Sequence, residues 1–388
     1  MKHFTAFLVN MLILLTTVFL HTTYTNQNTT FYVGTTFCGS TTQEAKLLID
    51  RVKTYTNLFV LQSGPVSKNE TATNIICDYA VKSGLDIIVY FGFFDGCCPW
   101  QVPWMDFAKE RWGKHFLGVY YYDEPGGIQL DFNWSHFFTS IKQENTTMYH
   151  VMSNDIEGYL DGTLPRDYDD AASRFISSIE NNPDIYQMKK RSVTVFTSDY
   201  ALYWFDYLAG YDVVFAEFGW NNSVAQEIAL VRGAARAQNK EWGAIVTWKY
   251  NHSPYLDSGN EIYNQMCMAF EAGAKYVVIF NYAEYMEGTY GTLQDEHFEA
   301  LERFWNTITN TNNLVHGSAK AETTLVLPPN YGWGMRHPED RIWYWGPDEK
   351  SDQIWEMTRN YVSEYGHTLN IVYHDERFSF PEECVHVV

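Results

Sequence analysis

Two carboxylates stand side by side in Gly118-Val-Tyr-Tyr-Tyr-Asp-Glu-Pro-Gly126, where Asp123 and Glu124 close a β-branched and aromatic run. A third lies between aromatics in Phe215-Ala-Glu-Phe-Gly-Trp220, at Glu217. Carboxyl groups brought together suit a reaction in which one gives a proton and another attacks, activates water or orients the substrate. Hydrolysis of a glycosidic bond has this requirement. Such a reaction also needs flat apolar faces for sugar rings and polar groups for hydroxyls. Trp220, Trp248, Tyr250 and Tyr282 offer the faces, and Asp95, Asn221, Lys249, Asn281 and Glu284 offer the polar groups. Each has a plainer reading. Glu217 pairs with Lys249 or Arg232, Asp95 caps the turn into Gly96, and Trp248 and Tyr250 simply pack. No C-x-x-C or H-x-H spacing indicates zinc, and no Gly-rich phosphate loop follows a strand, so no metal or cofactor is expected.

These residues share a chemistry only if the fold brings them together. Strand-like runs begin at Phe31, Leu58, Asp86, Leu117, Ser192, Val213, Ala244 and Tyr276, and amphipathic helical stretches separate most of them. Eight strand–helix units over roughly 250 residues predict a (β/α)8 barrel, whose active site sits at the C-terminal ends of the strands. Glu124 then follows the fourth strand, Glu217 the sixth, Trp248–Tyr250 the seventh and Asn281–Glu284 the eighth. Met148–Met152 reads as a ninth strand, and the stretch 128–191 is long enough to be an insertion over the barrel mouth. An open doubly wound sheet is the structural alternative.

The barrel is expected over 26–312. Residues 313–388 read as a small αβ module, with strands Thr323–Leu327 and Leu369–Tyr373 and a helix from an N-cap at Ser351 to Glu364. The aromatic cluster Trp333, Trp343 and Trp345, with Arg336 and Asp340, either packs this module on the barrel, covers its mouth or meets another subunit. Residues 1–25 carry an apolar run behind Lys2 and read as a signal peptide or an uncleaved anchor. Six N-x-S/T sequons, at Asn28, Asn69, Asn133, Asn145, Asn221 and Asn251, agree with a secreted or surface-anchored chain. Six cysteines permit up to three disulfides. A formal charge of −20 disfavours nucleic acid and anionic lipid as partners, and 17% aromatic content turns attention to carbohydrate. The oligomeric state is not legible.

The Val-Tyr-Tyr-Tyr-Asp-Glu-Pro-Gly segment resembles the fourth-strand end of (β/α)8 glycoside hydrolases. Its Asp-Glu pair resembles the N-acetylhexosaminidases of families 20 and 123. That resemblance implies Glu124 as the acid and Asp123 as the residue orienting a substrate acetamido group. The barrel-plus-module layout loosely resembles barrels followed by a flavodoxin-like module. Typical retaining barrels place a nucleophilic Glu after the seventh strand, where this chain has Lys249. The nucleophile or base would then be Glu217, from the sixth strand, or Glu284, from the eighth. Two rival functions follow from the same departure: a non-catalytic carbohydrate-binding barrel, and a lyase forming a Schiff base on Lys249.

Overall fold

The strands are near-continuous apolar runs because the fold buries both of their faces. Leu58–Leu61 is buried at every position, as is Val213–Phe218. In the computed structural model these runs form a closed barrel of eight parallel strands: β1 Tyr32–Phe37, β2 Leu58–Leu61, β3 Asp86–Gly92, β4 Phe116–Tyr121, β5 Val195–Asp199, β6 Val213–Phe218, β7 Glu241–Val246 and β8 Tyr276–Ile279. β8 closes on β1 with Tyr276 opposite Tyr32 and Ile279 opposite Thr35. The structure describes residues 30–92, 94, 96–144, 149, 156–282, 288–310, 314–379 and 384–387. From Tyr32 onward the chain is one compact unit.

Leu58, Val60, Ile88, Tyr120, Phe196, Val213, Phe215, Ile245, Tyr276 and Val278 fill the barrel interior. Large rings meet there, with Phe196 stacked on Phe215 at 5.9 Å and edge-on to Tyr276 at 5.5 Å. Such a core is a solid plug, and it leaves only the strand ends open to a ligand. Outer helices start where the chain supplies caps. Before helix Thr42–Val52, Thr41 Oγ accepts from Glu44 N at 3.2 Å while Glu44 accepts from Thr41 N at 3.0 Å.

Between β4 and β5 run helices Pro125–Asp131, Trp134–Glu144, Ile156–Asp161, Tyr168–Glu180 and Pro183–Lys190. The ninth strand expected at 148–152 falls outside the described residues except for Tyr149, which is buried. The C-terminal module is a parallel three-stranded sheet of β9 Thr323–Leu327, β10 Leu369–Tyr373 and β11 Cys384–Val387, in the order β10-β9-β11. Its helix Ser351–Tyr365 begins one residue earlier than a Ser351 cap requires. Lys350 is the capping residue, and the Ser351 hydroxyl instead lies 3.3 Å from Asp348 and 3.0 Å from the Tyr331 hydroxyl.

The aromatic cluster of the module packs inward. Trp343 is fully buried and meets Phe205 at 4.7 Å and Phe175 at 5.7 Å, while Trp345 meets Tyr159 at 5.1 Å. Ile342–Trp345 makes isolated antiparallel bridges to Trp333 and within itself rather than a strand. Arg232, on helix Val224–Ala237 between β6 and β7, ties the sheet to the barrel. Its guanidinium donates to Asn370 Oδ1 at 2.9 Å, Ala319 O at 3.0 Å and Leu369 O at 2.8 Å.

Among the described residues no helix is long and apolar enough to cross a membrane, and the N-terminal apolar run lies outside them. Cys38, Cys77, Cys98 and Cys267 are free thiols, so three disulfides do not form.

Candidate active site

Just past β4 stand two residues with left-handed backbones, Tyr122 at φ 50° and Glu124 at φ 53°. Non-glycine residues rarely adopt this conformation, and it costs of order 1–3 kcal/mol unless the surroundings enforce it. Here they do. Glu124 N donates to Ser198 O at 3.0 Å, and Glu124 O accepts from Ile128 N at 2.9 Å, which starts helix Pro125–Asp131. The exposed N–H groups of that helix are taken by a buried carboxylate from β5. Asp199 accepts from Gly126 N at 2.5 Å and Gly127 N at 2.8 Å. Glycine is required at 127, because a Cβ there would sit 2.0 Å from the Tyr200 ring.

The cavity above the strand ends has a volume of about 390 Å³. Asp123, Glu124, Glu217, Ser198 and Gln62 form its polar side, and Trp220, Trp248, Tyr255, Phe280 and Tyr282 its aromatic wall. Glu124 and Glu217 border the same cavity, close enough that the charge of Glu124 raises the Glu217 carboxyl. Ser198 Oγ donates to Glu217 Oε1 at 2.6 Å, and Glu217 Oε2 is buried without a donor. Tyr120, rising from the barrel core, donates to Asp123 and lies 2.7 Å from Ser198 Oγ. One barrel-interior tyrosine and one serine therefore anchor two of the three carboxylates.

Crowding of acids out of water raises every one of them. Burial, then the charges of Asp123 and Asp199, push Glu124 from 4.5 up to about 8. Burial and the neighbouring Glu124 and Asp123 hold Glu217 well above the usual carboxylate range. Asp123 is also raised by burial, although its hydroxyl and amide partners oppose the shift. The Glu124 charge raises Glu217, so the pair holds a proton more readily than either carboxyl would alone.

A second layer of acid lies beneath. Burial outweighs four backbone donors at Asp199 and pushes it to about 7. Asp206, fully buried, has no donor to either carboxyl oxygen among the described residues, and burial and the neighbouring Asp199 raise it well above the usual carboxylate range. Glu227 accepts from Tyr203 OH at 2.5 Å and is pushed by burial to about 8.

Of the residues singled out from sequence, Asp123, Glu124, Glu217, Trp220, Trp248 and Tyr282 line this one cavity. Asn221 lines an adjoining cavity beside Trp220. Three others are occupied elsewhere. Lys249 Nζ lies 3.3 Å from Asp257, Tyr250 stacks on His252 at 6.0 Å, and Asn281 Oδ1 accepts from Thr292 N at 3.2 Å. Glu217 is thus paired with neither Lys249 nor Arg232. Asp95 and Glu284 lie outside the described residues. Tyr255 and Phe280 were not apparent in the sequence. Phe280 continues β8 and carried a signal, whereas Tyr255 arrives on a loop without one.

Two sequons fall at this mouth, since Asn251 lines the central cavity and Asn221 the adjoining one. A glycan on either would fill the space a ligand needs. Asn69 and Asn133 are exposed and cap the starts of helices. Among the described residues no group of three His, Cys, Asp or Glu could hold a metal ion.

Fold and site define a (β/α)8 barrel with an acidic, aromatic-walled pocket at its strand ends. No protein-family model matches the chain, and no curated protein matches it. Solved structures that resemble it include several glycoside hydrolases. The endo-β-1,4-mannanase from Thermotoga petrophila is 7% identical, with 77% of this chain and 82% of that chain covered and a TM-score of 0.43. The family 17 β-1,3-glucanosyltransferase from Rhizomucor miehei is 12% identical, with 68% and 93% covered and a TM-score of 0.40. A 3-hexulose-6-phosphate synthase is 11% identical, with 71% and 98% covered and a TM-score of 0.35. Neighbours this distant, of mixed chemistry, leave the reaction to be argued from the site itself.

Proposed function

We propose that the protein hydrolyses O-glycosidic bonds of an oligo- or polysaccharide, with Glu124 as general acid/base and Glu217 as nucleophile. The observation that carries this reading is the pair of interacting carboxyls that share one aromatic-walled pocket. Carboxyls about 5–5.5 Å apart suit a double displacement, whereas inversion needs about 6.5–9.5 Å to admit a water between them. The mutual influence of Glu124 and Glu217 across one cavity favours the closer spacing. In the first step Glu217 bonds to the anomeric carbon, the C–O bond breaks, and the Glu124 proton goes to the departing oxygen. In the second, Glu124 takes a proton from water, whose oxygen displaces Glu217. An acid held at about 8 still carries its proton at neutral pH, as the first step demands. Ser198, donating to Glu217, stabilises that carboxylate when it ionises.

Asp123 on the same cavity supports a second reading, in which it orients a substrate acetamido group that itself attacks. That version confines activity to N-acetylhexosaminides. We also propose that the apolar N-terminal run exports the chain or anchors it at the cell surface. Fractionation of the expressing cells tests this, and retention of the whole product in the cytosol would reject it.

The decisive assay is a panel of chromogenic glycosides with Glu124→Gln as the control. Removing the acid should lower kcat/KM by about 10²–10⁴-fold. Equal turnover by variant and parent would overturn the assignment. Glycan binding without sugar release by either would point to a carbohydrate-binding barrel.

A further inference from the structure

The catalytic cavity lies between two larger ones. A second, of about 550 Å³, is lined by Cys38, Pro65 and Tyr90 from the β1, β2 and β3 side, and shares Gln62, Asp123, Phe280 and Tyr282 with the centre. A third, of about 560 Å³, is lined by Tyr200, Asn222, Arg336 and His337, and shares Glu124 and Trp220 with the centre. In a closed ring of eight strands, β1 and β2 face β5 and β6 across the diameter. The outer cavities therefore lie on opposite rims, and the three make one trough across the mouth. Each has a volume within the range of about 300–1,000 Å³ usual for a small-ligand site.

We propose that this trough binds an unbranched glycan of at least three sugar units and that the enzyme cuts it internally. The Arg336 side receives the leaving-group end. This rests on the glycoside hydrolase reading above. A pocket that trims single terminal sugars needs a wall beyond the sugar it releases, and among the described residues a cavity continues on either side of the acids.

The direction follows from the two neighbouring acids. Glu124 borders the central and third cavities, and Asp123 borders the central and second. The acid must reach the bridging oxygen, so the scissile bond lies where the central and third cavities meet. On cleavage the anomeric carbon stays in the centre and takes a hydroxyl from water. The protonated oxygen leaves with the units in the third cavity.

That third cavity is built as a rigid wall. The Arg336 guanidinium bonds Asp131 at 3.0 and 3.0 Å and Asp340 at 2.7 and 2.7 Å, and lies over the Tyr200 ring at 5.3 Å. These contacts use four of its five N–H donors. The fifth remains for a sugar hydroxyl. Trp220, 46% exposed and held at φ 52°, stands at the junction as a platform common to both cavities. An indole left this open in a strained backbone is otherwise a cost to the fold. Arg336 and His337 come from the C-terminal module, so the module completes the catalytic groove.

The test uses the full chain with β-1,3- and β-1,4-linked gluco-, manno- and chito-oligosaccharides of two to six units, hydrolysed in ¹⁸O-water. On whichever series is cut, kcat/KM should rise at least tenfold from two units to four, with internal bonds broken. His337→Ala and Asn222→Ala should lower kcat/KM on the tetramer by about tenfold more than on an aryl glycoside, chiefly through KM. Release of single terminal units only, or equal losses on both substrates, would overturn the groove while leaving the hydrolase. Calorimetric titration of Glu124→Gln with the same sugars separates the two readings. Tighter binding of tetramer than dimer, with no turnover by the parent, would keep the groove and discard hydrolysis. Absence of both binding and turnover across the panel would reject both.

Discussion

Glu124→Gln should make the protein more stable in alkaline solution while disabling it. Burial and two neighbouring charges raise the Glu124 carboxyl from 4.5 to about 8. Its folded value lies above its unfolded one, so the fold holds the proton more tightly than the unfolded chain does. The contribution is intact below pH 4.5 and is lost as pH rises through about 8. The whole shift corresponds to roughly 4–5 kcal/mol of destabilisation above pH 8. Glu217 shares the titration, so one substitution recovers only part of it, about 1–3 kcal/mol at pH 9 and under about 1 kcal/mol at pH 5. Glutamine keeps the shape and removes the charge. Urea unfolding of parent and variant at pH 5, 7 and 9, compared at equal slopes, reads the effect directly. A stability gap that fails to widen in favour of the variant between pH 5 and pH 9 would refute the crowded-acid account of this site.

Three further outcomes are expected. The kcat/KM profile of the parent should fall on its alkaline side near the Glu124 value of about 8, and a limb below pH 6 would assign the acid elsewhere. Ser198→Ala removes the hydroxyl that donates to Glu217 at 2.6 Å. It should raise the acid limb of that profile and cut kcat by about 10–100-fold, and an unmoved limb would deny Ser198 its role. Trp343→Ala empties a fully buried site between Phe175 and Phe205, and should cost about 3–5 kcal/mol in denaturant unfolding. A loss under about 1 kcal/mol would mean that the module does not fold as one body with the barrel.

The barrel was legible because each buried strand is a short apolar run between helical stretches. Leu58–Leu61, Thr323–Leu327 and Leu369–Tyr373 could be bounded to the residue. Boundaries slipped where polar residues occupy buried ends, as at Thr197, Ser198 and Asp199 of β5. Strand-end logic placed Asp123, Glu124, Glu217, Trp220, Trp248 and Tyr282 on one cavity, since barrel geometry alone forces strand termini together. It could not decide orientation beyond the first residue of a loop. Lys249 and Tyr250 turn away to Asp257 and His252, and Asn281 is spent on Thr292. The deeper acids, Asp206 and Glu227, were missed. Both sit on helices, where an acid ordinarily reads as solvated surface. Arg336 and His337 meet Glu124 only through tertiary packing of the module, which no local pattern announces.

Closure of the ring has a consequence for how the chain is made. β1 is complete at Phe37, yet its second neighbour, β8, begins only at Tyr276. At about 5–20 residues per second, a ribosome leaves the β8-facing edge of Tyr32–Thr35 open for roughly 10–50 s. An apolar strand edge exposed for so long invites pairing with other nascent chains. Yield in a foreign host should therefore respond to slower initiation, lower temperature or added holdase chaperones more than to any change at the finished surface.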